Sequence, residues 1–361
     1  RVNKFGENTY NEFVQALAEL KSQGAQKYII DLRENSGGYM DQAIKMSNEF
    51  LNSGDLIVYA QGRAYPRYDA KANGGGRFKK VPLVVLIDNF SASASEIFSG
   101  AMQDNDRATI IGRRSFGKGL VQQQIPFNDG SAIRLTVARY YTPSGRCIQA
   151  LDYCHRSSNG EAYRTPDSLT HVFYTEGGRP VRDGGGITPD VIVSDTIPTI
   201  LAYLRNSDEY FDWLTKFSQE HTTIAPAGEF AIADEDYADL ADYIVQSGFA
   251  PEYRSKRVVE QLRTLLKAEG ATDEAMRDLD TLEQSLKPNM RDLLNLHKDK
   301  LAPCVSSDIC ERYYYSSGAQ QNLLLHDKQL NAAIAVLKDR SRYVSLLSNS
   351  AQSSPSAAAA P

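Results

Sequence analysis

Three serines alternate with two alanines in the run SASAS, giving Ser91, Ser93 and Ser95 with Ala92 and Ala94 between them. Lys118 follows 25 positions after Ser93, between Gly117 and Gly119. A serine hydroxyl attacks a carbonyl only when a base takes its proton, and a Ser–Lys pair is one known form of that arrangement. Lysine acts as a base in its neutral form, which burial in apolar surroundings favours. The two glycines let backbone come close to Lys118 without side-chain crowding. Ser93 also falls where an apolar strand gives way to a helix. Such a junction offers unpaired N–H groups at the positive end of the helix dipole, a setting for an oxyanion. A second turn, DLRENSGG, carries Gly37 and Gly38, and a backbone N–H from it would complete an oxyanion hole opposite Ser93. The plainer alternatives are a serine helix cap with Glu96 in the first turn, a mobile lysine in a glycine turn, and a tight strand-to-helix turn.

Other chemistries fit less well. Gly112, Gly117 and Lys118 give GxxxxGK, but Gly119 replaces the Ser or Thr that would hold magnesium, and VQQQIPF after it reads as a strand. This argues against a nucleotide loop. The five histidines, His155, His171, His221, His297 and His326, lie outside the glycine and serine motifs. Only His155 and His171 are candidates for a Ser–His–Asp triad. No His, Asp, Glu or Cys cluster has metal-ligand spacing. Cys147 and Cys154 form one close pair and Cys304 and Cys310 another, neither as CxxC. They read either as four thiols or as two short-loop disulfides in an oxidising compartment.

The elements that must position these residues alternate in type. Thr9 to Ser22 is an amphipathic helix with Phe13, Leu17 and Leu20 on one face, and Thr9 with Glu12 resembles a capping box. KYIIDLR is a short strand, Met40 to Leu51 a helix, and VPLVVLI a strand buried on both faces. A helix starts near Ser93, ATIIG is a further strand, and VQQQIPF with AIRLTVARYYT is a hairpin turning at NDG. In VQQQIPF, strand alternation sets Gln122 and Gln124 on one face and Gln123 on the other. This order predicts an α/β layered core over residues 1–195. From about Ile197 helix formers dominate. Val258 to Leu266, Ala275 to Leu286 and Leu323 to Leu337 have helical apolar spacing, which predicts a separate all-α helical domain over 196–345. SNSAQSSPSAAAAP is low in complexity, so 346–361 reads as a disordered tail.

The composition is that of a globular protein: 361 residues, 42% hydrophobic and 24% charged, with a net charge of −5. The basic residues are not clustered, which argues against nucleic acid as a partner. No apolar run approaches the roughly 18 residues of a membrane helix.

Taken together, TYNEFVQAL, DLRENSGG, VPLVVLIDNFSASASEIFSGAMQDNDRATIIG, SFGKGLVQ, AIRLTVARYYTPSGRCIQ and GGGITPDV resemble the protease domain of the carboxy-terminal processing (tail-specific) serine proteases. The likeness covers residues 1 to about 193, and the SASASE and FGKG pair is its most specific part. It implies a crotonase-like (ClpP/crotonase type) α/β core with an added β cap. It also implies Ser93 as nucleophile, Lys118 as general base, and Gln122 as the residue that positions the lysine. The oxyanion donors would be the backbone N–H groups of Ala94 and Gly38, with Gly37 adjacent. Neither cofactor nor metal is implied. Family members usually carry a PDZ domain before or inside this core, which captures a substrate's C-terminus by strand addition. Nothing here resembles one, so the expectation is a chain that begins inside the protease domain. The usual NNPGG is ENSGG here, a conservative departure. The helical region, including ERYYYSSGA, is similar to the extension of bacterial processing peptidases of the Bacteroidetes type.

The resemblance thus implies a periplasmic or otherwise extracytoplasmic serine endopeptidase of a bacterial cell envelope. It would cleave polypeptides at or near their C-termini, bound as extended strands, through an acyl-enzyme. A homo-oligomer, or an adaptor held through the helical domain, is the further partner expectation. The rival readings are a crotonase-type acyl-CoA enzyme, which would need carboxylates by the glycine turns and no Ser93, and an inactive peptide-binding adaptor.

Overall fold

The computed structural model describes residues 1–156, 160, 162–194, 198–249, 254–286 and 289–348. Most of the expected tail therefore lies outside the described residues. The chain forms two compact units. One joins Arg1–Ser194 with everything from Lys328 onward, and the other is the stretch between.

The first unit is organised by the run VPLVVLI. Helix α1 (Thr9–Ser22) precedes strand β1 (Tyr28–Asp31), helix α2 (Met40–Asn48) follows it, and strands β2 (Leu56–Gln61), β3 (Tyr68–Lys71) and β4 (Leu83–Ile87) come next. β4 is buried along its whole length. Its side chains alternate between two cores. Leu83, Val85 and Ile87 join Phe5, Met46, Phe98 and Ile110 on one face. Val84 and Leu86 meet Ile111, Ala333, Val336 and Leu337 on the other. Such a strand has no polar face, which is why its sequence is an unbroken apolar run.

After β4 come α3 (Ala94–Asp104), β5 (Thr109–Gly112), β6 (Leu120–Pro126) and β7 (Ala132–Tyr141). Two short ribbons follow, β8 (Leu151–Arg156) with β9 (Ala162–Arg164) and β10 (Val172–Tyr174) with β11 (Pro180–Arg182). The unit's last strand is β12 (Val191–Ile192). One sheet is parallel, in the order β1-β4-β5-β12. The other is antiparallel, in the order β3-β2-β7-β6. β6 and β7 form the expected hairpin, with Pro126 opposite Ala132 and Gly130 at a φ of 86° in its turn. A bulge between Val121 and Gln122 interrupts the simple alternation expected there.

The second unit is helical: α4 (Thr199–Arg205), α5 (Asp208–Glu220), α6 (Asp234–Gln246), α7 (Arg254–Ala268), α8 (Asp273–Ser285), α9 (Met290–Leu296) and α10 (Lys298–Leu323). α10 is broken at Tyr315, whose φ is 58°. The unit's core gathers Trp213, Phe217, Tyr237, Leu240, Leu294 and Val305. Beyond it, α11 (Lys328–Lys338) and α12 (Arg340–Leu346) return to the parallel sheet. A mixed α/β core followed by helices is thus the architecture.

Particular expectations need correction. Leu323 to Leu337 is not one helix, because α10 ends at Leu323 and α11 begins at Lys328. The helical stretch 196–345 is not a single body, since α11 buries its apolar stripe against β4 and β5 rather than against other helices. Lys27 and Tyr343 secure this return: Lys27 Nζ donates to the Leu337 carbonyl at 2.5 Å, and Leu83 N–H donates to the Tyr343 hydroxyl at 2.9 Å. Thr9 is not a cap. Asn8 takes that place, while the Thr9 hydroxyl accepts from Gly6 N–H and donates to the Lys4 carbonyl. All four cysteines are thiols. Cys304 and Cys310 both lie on α10. A separation of six residues is about 9 Å of helical rise, beyond the span of a disulfide.

The docking of α11 yields a test. Leu337→Ala is expected to lower the unfolding free energy of the first unit by about 2–5 kcal/mol, the usual loss for a buried leucine. Urea denaturation of the variant checks it.

Candidate active site

Three turns meet at the N-terminus of α3. The first is the β1–α2 turn. Asn35 is fully buried and serves as its clamp. Its side-chain amide donates to the Val2 carbonyl at 2.7 Å, and its side-chain oxygen accepts from Gly37 N–H at 2.9 Å. The second of these is the Asx-turn geometry that an Asn two residues before a glycine favours. The Asn35 carbonyl accepts both Ala92 N–H and the Ser95 hydroxyl. The β1–α2 turn is thereby fastened to the SASAS turn.

Gly37 has a φ of 100°, and a Cβ there would stand 2.7 Å from the Ala92 carbonyl oxygen and 2.8 Å from Ser93 Cβ. Only glycine allows this contact. Gly38, the next residue, bridges to Phe5.

The SASAS turn divides its serines by role. Ser91 and Ser95 are fully buried. The Ser91 hydroxyl donates to the Leu32 carbonyl and accepts from Asp88 N–H, while that of Ser95 goes to Asn35. Both hydroxyls are spent on holding the turn. Ser93, between them, is only half-buried. It caps α3 with φ 57° and ψ −113°, a conformation rare and strained for a residue with a side chain.

Glu96 links this turn to the lysine loop. Its carboxylate is fully buried. One oxygen accepts from the Ser115 hydroxyl at 2.5 Å and from Gly117 N–H at 2.7 Å. The other accepts from Ser93 N–H and Lys118 N–H, both at 2.9 Å. The backbone nitrogens of Ser93 and Lys118 therefore share a single acceptor atom. Tyr140 adds a second bridge: its hydroxyl donates to the Lys118 carbonyl and lies 3.3 Å from the Ser93 carbonyl. Burial pushes the Tyr140 phenol well above its ordinary value, which keeps it a donor. Burial also pushes the Glu96 carboxyl up to about 7, against the four hydrogen bonds that favour its charged form.

The structure thus brings Ser93, Lys118, Gly37, Gly38 and Ala94 into one cluster of turns. Among the described residues, no hydrogen bond joins the Ser93 hydroxyl to the Lys118 amine. Gln122 is exposed on β6, opposite Thr136, with no hydrogen bond to Lys118. Of the expected oxyanion donors, Ala94 N–H and Gly38 N–H have no hydrogen-bond partner among the described residues. Gly37 N–H is taken by Asn35. His155 and His171 are turned to solvent and held by Asp152 and Asp183. Among the described residues no cluster of His, Cys, Asp or Glu could hold a metal.

Asn35, Ser115 and Tyr140 were not legible as site residues, and Glu96 was legible only as a helix-turn acid. The available signals were Asn two residues before Gly37 and a carboxylate in the first turn of a helix that is apolar or small from Ile97 to Met102.

Known proteins resemble both parts of the chain. Residues 1–152 match the profile of peptidase family S41, and residues 200–337 match that described as "Probable PDZ-protease, C-terminal helical domain". A carboxy-terminal-processing protease of Bartonella bacilliformis is 39% identical over 205 residues, 55% of this chain and 39% of that protein. A carboxyl-terminal-processing protease of Synechocystis is 43% identical over 151 residues, 42% of this chain and 35% of that protein. The chain thus spans between about a third and two-fifths of the length of these relatives. A photosystem II D1 C-terminal processing protease is similar in structure, with a TM-score of 0.42 and 30% identity over 58% of this chain and 46% of that one.

Glu96 gives a pH test. Its folded pKa is raised from 4.5 to about 7. The fold therefore holds the proton more tightly than the unfolded chain does. The resulting stability is complete below about pH 4.5 and is lost as pH rises through about 7, a change of about 3 kcal/mol. Glu96→Gln cannot titrate, so the stability of the wild type relative to this variant should fall between pH 5 and 8, as measured by denaturant titration. A constant difference over that range would count against the shift. Gly37→Ala, by contrast, should be defective at every pH, because its Cβ meets backbone.

Proposed function

We propose, from the membership of residues 1–152 in peptidase family S41, that the chain is a serine endopeptidase that processes polypeptides at or near their C-termini. The observation that carries this is the pair of N–H groups, at Gly38 and Ala94, that have no partner among the described residues and lie on the two turns packed around a strained, half-buried Ser93.

In this mechanism the neutral amine of Lys118 takes the proton of Ser93 Oγ as the oxygen attacks the scissile carbonyl. The carbonyl oxygen becomes an oxyanion and is held by Gly38 N–H and Ala94 N–H. The intermediate collapses, the C–N bond breaks, and Lys118 returns the proton to the departing amine. Water, deprotonated by Lys118, then hydrolyses the ester on Ser93. Gln122 orients the amine after its side chain turns toward Lys118. Because Glu96 and Tyr140 engage only backbone groups of Ser93 and Lys118, both reacting side chains stay available.

Substrate is bound as an extended strand. Among the described strands β6 pairs with β7 alone, so its outer edge, which begins two residues after Lys118, can take an added strand. The same reading includes an extracytoplasmic, periplasmic location.

Casein cleavage tests the reading. Ser93→Ala and Lys118→Ala should each abolish turnover, and the double variant should be no worse, since residues acting as one unit are not additive. Multiplicative losses would argue against a dyad. Gln122→Ala should fold and bind substrate but lose about 100-fold in kcat, the scale expected for a misplaced base, whereas Gln123→Ala should stay near wild type. An enzyme indifferent to Ser93 would be of the crotonase acyl-CoA type. A chain that binds peptides without cleaving them would be an adaptor.

A further inference from the structure

Ser93 and Lys118 are joined twice through their backbones, once by their N–H groups and once by their carbonyls. Both N–H groups donate to one oxygen of Glu96, at 2.9 Å each. Both carbonyls face one hydroxyl, that of Tyr140, which donates to the Lys118 carbonyl and stands 3.3 Å from the Ser93 carbonyl oxygen. Among the described residues the Lys118 carbonyl has no other donor. The Ser93 carbonyl also accepts the N–H groups of Glu96 and Ile97, the first bonds of α3. Two side-chain oxygens thus engage all four backbone polar groups of the two residues.

The two oxygens stand on separate, firmly packed supports. Glu96 lies fully buried in the first turn of α3. Tyr140 lies on β7 of the antiparallel sheet and is also fully buried. It pairs with Ala60 of β2, its N–H donates to the Gly119 carbonyl at 3.0 Å, and its ring joins the core that holds Phe98 and Ile148. A single shared atom is a pivot: it fixes a distance and leaves the two residues free to swing. A second atom bridging their carbonyls removes that freedom. Resting on the peptidase reading above, the geometry points to Tyr140 and Glu96 as positioning residues of the reaction, which clamp the backbones of Ser93 and Lys118 so that nucleophile and base keep one separation and one angle. Neither clamp residue bonds the Ser93 hydroxyl or the Lys118 amine. Positioning of this kind acts on the chemical step and not on peptide binding, so its loss appears in kcat rather than in KM.

Steady-state cleavage of labelled casein tests the clamp, with circular dichroism and thermal melts as the check on folding. Tyr140→Phe removes one oxygen and keeps the buried ring. It should fold, lose roughly 10- to 100-fold in kcat, the scale of a misplaced base, and leave KM within about twofold. Glu96→Gln should fall in the same way. The double variant should stay within about threefold of the worse single, because either loss already frees the pivot. Leu337→Ala weakens the same unit from the opposite face of β4. Below its melting temperature it should keep the wild-type kcat, so that lost stability alone does not produce the pattern. An unchanged kcat in Tyr140→Phe, a loss confined to KM, a matching loss of kcat in Leu337→Ala, or losses that multiply in the double variant each overturn the clamp. Casein cleavage that survives Ser93→Ala overturns the peptidase reading and the clamp with it. Cleavage lost in Ser93→Ala beside a wild-type kcat in Tyr140→Phe overturns the clamp alone.

Discussion

Glu96 is a fully buried carboxylate, and the local structure is arranged around satisfying it. A buried carboxylate is tolerable only when its lone pairs are filled. The fillers are the N–H groups of Ser93, Gly117 and Lys118 and the Ser115 hydroxyl. Each comes from a turn that would otherwise be free to vary, so satisfying one charge fixes the relative position of the helix start and the lysine loop. The Ser115 hydroxyl extends the network by accepting from Ile187 N–H. The GGGITP segment, distant in sequence, is thereby drawn to the same point. The positive φ of Ser93 is held by its surroundings: Asn35 on one side, Glu96 and Tyr140 on the other.

The layered core serves as the rigid support for this cluster. β4 is packed on both faces, so its C-terminal end cannot shift without disturbing two cores. The SASAS turn leaves that end directly, and the β1–α2 turn leaves the end of the adjacent strand, parallel to it. Two turns at the same end of neighbouring parallel strands are where open α/β sheets place their sites.

The parts of this arrangement legible in sequence were those set by local rules. Alternation and apolar runs disclosed β1, β4, β5 and the β6–β7 hairpin, and helical spacing disclosed α1, α7 and α8. Gly37, Gly38, Lys118 and the SASAS turn as a whole stood out because glycine and small residues mark close backbone approach. What sequence withheld were long-range decisions. Nothing local distinguishes Ser91 and Ser95, whose hydroxyls hold carbonyls of another loop, from Ser93. Asn35 looks like any turn residue until Val2 is beside it. The stripe on α11 predicted a helix but not its partner, because Ala333, Val336 and Leu337 suit a sheet as well as a bundle. The bulge after Val121 was invisible because a shift of register leaves no mark on composition.

The Gln329 side-chain amide donates to the Val193 carbonyl at 3.0 Å. The chain thus leaves the α/β unit and comes back to it at adjoining points, and the helical unit is topologically an insertion rather than an appendage. Such an insertion closes its own loop: the ends are already held together by the host, and closure entropy grows only slowly with length. Its size and sequence are then nearly decoupled from the stability of the host sheet. The α/β unit can keep its turns while the inserted helices are lengthened, shortened or exchanged, provided that α11 still returns to cover β4.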